Sequence, residues 1–178
     1  MHYIVFFALF LFGCSVKEWN EVPHPREFAK PYKIKNTQGS FKITPQKHYS
    51  LKEKGIASFY GDKFHGRKTA SGVCFNQWDM TCAHPRLPLP SIVKVSIPGT
   101  KKEVVLIATD RGPFVKKGDR RIIDLSRGAA RILGIEKQGV ANVEIKCLEK
   151  ESAELKSKWP SYRKKGTLPF GLVNRFVR

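Results

Sequence analysis

The run EVVLIATDRGPF, residues 103–114, sets the tightest limit on what this chain can fold into. Val104 to Ala108 form an unbroken apolar stretch rich in β-branched residues, and Gly112-Pro113 stops it. A run so short and so bounded reads as a buried strand ending in a tight turn. Counting by twos puts Leu106, Ala108 and Asp110 on one face. With Leu106 in a core, Asp110 stands at the rim of that core on the same side. Three roles are open to it: a turn-former, a partner for Arg111, or an acid that does chemistry. Spacing alone favours the turn, where aspartates are common.

The same texture recurs from Gly55 onward in GIASFY, SIVKVSI, RIIDLS and VANVEIKCL, each read as a strand. In VKVSI, Val93, Val95 and Ile97 face one way and Lys94 and Ser96 the other, the alternation of a half-buried strand. One helix interrupts the series. Ser126 is placed to cap it, Leu125 to staple it from outside, and Gly134 to close it in the left-handed region. Strands, one helix and a last strand in so short a span predict a small barrel. Beyond Leu148, EKESAELKSKW suits a short exposed helix, and the basic, aromatic-laced remainder is too short for a second domain.

At 178 residues and 41% hydrophobic content the chain has room for one cored domain plus tails. Its net charge of +18 predicts a polyanionic partner, and the N-terminus indicates where that partner is met. Tyr3 to Phe12 is an apolar run too short to span a bilayer but suited to the core of a signal peptide, residues 1–13. It stops at Gly13-Cys14, which resembles a bacterial lipobox. Cys14 is then the lipidated residue, and Ser15 resembles the signal for the outer membrane. Residues 14–50 read as a flexible lipid-anchored linker with short ordered pieces. Export makes disulfides permissible. Cys74 and Cys82 flank FNQWDMT, close enough for neighbouring strands of one hairpin and so a possible bridge, while Cys147 shares the parity of Val143 and Ile145 and reads as a buried apolar residue. No paired CxxC or matching His spacing supports a metal site.

GIASFYGDKFHGRKTASG, TCAHPRLPLPSIVKV, ATDRGPF and RIIDLSRGAARILGI resemble, in order and spacing, the RlpA (rare lipoprotein A) family over residues 55 to about 148. The resemblance implies a mainly β fold: a six-stranded double-psi β-barrel over residues 51–148, with one or two short helices and a basic C-terminal tail over 149–178. It also implies a lytic transglycosylase that cuts peptidoglycan between N-acetylmuramic acid and N-acetylglucosamine, leaving a 1,6-anhydro end without water or cofactor. One acid suffices for such an intramolecular transfer, since the sugar C6 hydroxyl is already tethered to the reacting carbon. A usual glycoside hydrolase needs two.

By this resemblance Asp110 is the catalytic acid and His84 the active-site histidine that orients it, shifts its pKa or holds a sugar hydroxyl. Tyr60, His65 and Arg111 become groove residues that bind substrate, although the two rings serve packing equally well. Asp124 reads as a brace before Ser126. There are two departures. Val73 stands where enzymatic members carry a glutamate, with Asp62 or Asp79 as stand-ins if they fold into the groove, and no SPOR domain follows the barrel. The alternative is therefore a non-catalytic wall-binding lipoprotein. Nucleic-acid binding, suggested by charge alone, conflicts with export. The expected partners are glycan strands and, through the anchor, the outer membrane on its periplasmic side, for a monomeric protein.

Overall fold

The computed structural model describes residues 32–36, 39–43, 51–169 and 171–175. The expected signal peptide, Cys14 and Ser15 lie outside these residues. Within the expected linker, β1 (Tyr32–Asn36) and β2 (Gly39–Ile43) pair as an antiparallel ribbon.

The barrel is built from β3 (Lys52–Phe59), β4 (Thr81–Ala83), β5 (Ser91–Ser96), β6 (Glu103–Asp110), β7 (Arg121–Leu125) and β8 (Ala141–Leu148). They close in the order β3-β7-β4-β6-β5-β8, which leaves no edge strand. Pairs β3/β7 and β4/β6 are parallel, and the remaining ladders are antiparallel. This is the expected double-psi barrel. The strands recognised in the sequence all form. Of the barrel strands only β4 was not foreseen, because three residues are too few to show a period.

Inward parity follows the pattern of the sequence. Val104, Leu106 and Ala108 of β6 meet Val93, Val95, Val143 and Ile145 in the barrel interior. Both parallel pairs shift register, at Ile56/Ala57 and at Cys82/Ala83. Such irregularities bend strand ends and re-aim side chains beside functional sites. Helix α1 (Arg127–Leu133) is capped as expected: Ser126 Oγ accepts from the Ala129 N–H at 3.2 Å, and Gly134 closes it at φ 76°.

The C-terminal segment departs from expectation. In place of a short exposed helix and a tail, α2 runs from Glu149 to Lys165 and packs against β5. Ser152, Leu155, Trp159 and Tyr162 recur at three- and four-residue spacing and are all buried. With Val73, Ile92, Ile107, Leu172 and Val173 they make a second apolar cluster outside the barrel. Ser152 Oγ also accepts the Ile92 N–H at 2.8 Å, tying the start of α2 to the sheet.

The expected Cys74–Cys82 bridge is not formed. Cys82 lies on β4 between β6 and β7, not on a hairpin, and is a buried free thiol whose pKa burial pushes up. Cys147 is buried as expected, in the barrel interior.

Candidate active site

The ends of β3, β6 and β7, together with the loop that follows β3, enclose a groove of about 750 Å³. Asp110, the last residue of β6, is the half-buried acid in its wall. Its two oxygens are treated differently. Oδ1 accepts the backbone N–H of Ala70 at 2.9 Å and that of Arg111 at 2.8 Å. Among the described residues, Oδ2 has only the Tyr60 hydroxyl, donating from 3.3 Å. A proton on this carboxyl therefore belongs on Oδ2, the oxygen not engaged by the backbone. Burial raises the Asp110 pKa, against the opposing pull of the two N–H groups, the Tyr60 hydroxyl and the Arg111 charge. The group is set up to hold a proton at higher pH than a free aspartate and to release it toward the groove.

A second carboxylate shares this wall. Asp124 on β7 stands opposite Ser58 on β3, whose hydroxyl donates to Oδ1 at 2.5 Å, and burial raises its pKa as well. Between the two acids runs Gly112 at φ 143°, where a Cβ would come within 3.2 Å of Asp124 Oδ2. Only glycine fits that conformation and that gap. The sequence reading of Asp124 as a brace is half the account: it does tie β7 to β3, and it also faces the groove. Its signal was the pairing with Ser58, which requires the strand order to be known.

Tyr60 lines the groove as expected and stacks with Phe64 and Phe75 at centroid distances of 5.2 and 4.9 Å. Burial and the nearby Asp110 and Asp124 raise its pKa well above the usual tyrosine value, so it stays a hydroxyl donor. Lys63, Arg67, Lys68 and Arg121 complete the lining with cationic side chains. Sequence reasoning passed over these residues, although the alternation of aromatic and basic residues in FYGDKFHGRK is visible. Rings and cations around paired acids suit a sugar polymer bearing carboxylates.

His84 does not face the groove. It is fully buried, and its Nδ1 accepts the N–H groups of Arg86 and Leu87 at 3.2 and 3.0 Å. Burial, and then the Arg111 charge, lower its pKa to about 3. Neutral at Nδ1, it carries its proton on Nε2, 3.4 Å from Glu53 Oε2, so that contact is a hydrogen bond and not an ion pair. Only its backbone serves the site, through the N–H donated to the Asp110 carbonyl at 3.1 Å. Arg111 borders the groove, but its guanidinium is spent on the carbonyls of His84 and Leu87, at 3.2 and 2.6 Å.

His65 is exposed and does not line the groove; its Nδ1 accepts the Gln77 N–H at 3.3 Å. The proposed stand-in acids are occupied elsewhere. Asp62 pairs with Arg127 at 2.7 Å, and Asp79 accepts from Asn76 at 3.0 Å. Val73 is buried in the second apolar cluster and turned from the groove. Among the described residues, no group of three or more His, Cys, Asp or Glu side chains is arranged to hold a metal ion.

The model of the lytic transglycolase family matches residues 52–145, from β3 into β8. The chain belongs to this family. The match spans Tyr60, Asp110 and Asp124 but stops short of α2. A relative from Rickettsia bellii, named endolytic peptidoglycan transglycosylase RlpA, is 40% identical over 84% of this chain and 72% of its own length. A protein of the same name from Rickettsia felis is 46% identical over 70% of this chain and 53% of its own. The Vibrio cholerae one is 47% identical over 54% and 35%. Apart from the first, the chain thus spans about half or less of these curated relatives.

Proposed function

We propose that this family member is an endolytic peptidoglycan lytic transglycosylase with Asp110 as its single acid and base. The observation that carries the reading is the asymmetric Asp110 carboxyl, with Oδ1 held by two backbone N–H groups and Oδ2 left for a proton. In the reaction, Oδ2–H protonates the departing glycosidic oxygen as its bond to C1 of the muramic sugar breaks. The resulting carboxylate takes the proton of that sugar's C6 hydroxyl while O6 bonds to C1. The acid is regenerated, no water enters, and the product ends in a 1,6-anhydro ring. Tyr60 steadies Oδ2 through the cycle, and Asp124, tied to Ser58, fixes the opposite wall of the groove.

The alternative is a wall-binding module that has lost the reaction. The buried, apolar Val73 favours it, since no acid reaches the groove from that position. The chain from Ser15 to Arg178, incubated with purified sacculi and with peptide-free glycan strands, decides between them by mass spectrometry. Products lighter by one water than hydrolytic ones, and absent with Asp110→Asn, support the enzyme. Retained binding to sacculi with no release supports the module. The lipobox-like start further supports a lipid-anchored protein of the outer membrane; a Cys14→Ser variant that stayed in the membrane fraction would refute the anchor.

A further inference from the structure

The loop over residues 69–74 is what delivers the Ala70 N–H to Asp110, and helix α2 holds that loop from behind. Trp159, buried on α2, donates its Nε1–H to the Ser71 carbonyl at 3.1 Å, across 88 residues of chain. At the C-cap of α2, the Gly166 carbonyl accepts the Cys74 N–H at 2.7 Å. Between these anchors Gly72, at φ 90°, lies flat against Arg163, where a Cβ would meet Nε at 2.9 Å and Cγ at 3.0 Å. On its other side the loop is tied to β6 by the Ser71 N–H to the Thr109 carbonyl and the Ala70 N–H to Asp110 Oδ1, both 2.9 Å. The loop is clamped between the helix and the acid.

We propose that Trp159 is a positioning residue for Asp110: its indole N–H, through Ser71, holds the Ala70 N–H on Oδ1 and so keeps the transferable proton on Oδ2. The proposal rests on the reading of Asp110 as the acid. It places part of the catalytic support in a helix outside the matched span of the family. Trp159 also packs against Tyr162 at 6.0 Å between ring centroids, so shape and hydrogen bond must be separated.

Two full-length variants separate them. Trp159→Phe keeps an aromatic and drops the N–H; β-(3-benzothienyl)alanine at position 159 keeps the bicyclic shape with sulfur in place of the N–H. The carboxyl carbon of Asp110 is titrated by NMR in each, and glycan release is followed against pH. With the Ala70 bond loosened, Asp110 loses a contact that favours its charged form, so its titration midpoint rises by roughly half a pH unit. The alkaline limb of the pH profile moves up with it, and kcat falls about tenfold with KM changed less than about twofold. A midpoint unmoved in the benzothienyl variant overturns the proposal. Failure of the underlying reading shows separately, as glycan release that survives Asp110→Asn, while the NMR titration still judges the clamp.

Discussion

Asp110 and Asp124 are both held at raised pKa by burial, and this ties the site to the stability of the fold. Below the ordinary carboxylate range both groups are protonated in the folded and unfolded chain alike. As pH rises, the unfolded chain ionises first, and stability falls until the folded-state values are passed. Neutral replacement should therefore stabilise: Asp124→Asn is expected to raise Tm by a few degrees at pH 7 and to leave it unchanged near pH 3, as read by thermal denaturation. A Tm at pH 7 that stays level or falls would contradict burial as the dominant cause. Val73→Glu tests the departure from the family pattern. In this chain the new carboxylate enters an apolar cluster beneath Trp159 and Leu155, so a Tm loss of about 10 °C or more is expected, with no gain in glycan release. His84 shows what residue spacing cannot reveal. A histidine before proline is a turn residue or a functional one on sequence grounds, and the folded chain buries it with both nitrogens engaged.

At the scale of elements, α2 is the main revision. Its apolar positions were in the sequence at helical spacing, but Lys and Glu outnumber them in EKESAELKSK, and a polar window reads as exposed. What made it a packed element is the apolar outer face of β5 and β6, Ile92 and Ile107, which a helix must cover. Leu155 is fully buried there. Leu155→Ala should cost about 2–5 kcal/mol in denaturant unfolding. A cost below about 1 kcal/mol would mean that α2 is loosely held. Five of the six barrel strands, by contrast, were readable one by one, from alternation along β5 and β8 and from the bounded apolar run of β6.

On the scale of the whole molecule, the chain carries a net charge of +18, and Lys63, Arg67, Lys68 and Arg121 line the groove that holds two half-buried acids. This arrangement attracts an anionic polymer over a distance and gives it rings and carboxyls to meet at close range. Pelleting with sacculi is expected to weaken several-fold as salt rises from low to physiological strength and beyond. Pelleting indifferent to salt would count against a role for the charge.

The sequence by itself determined five of the six barrel strands, the capped helix and the face on which Asp110 lies. Period and capping are local properties, written within a few residues of where they act. Tertiary structure alone decided the chemistry of the groove. Ala70 reaches Asp110 across 40 residues, and Ser58 reaches Asp124 across 66. Register decided these contacts, as packing decided that His84 and Val73 turn inward and that α2 closes over the second cluster. A pKa is set by what is removed from around a group as much as by what touches it, and burial by remote segments has no local signature.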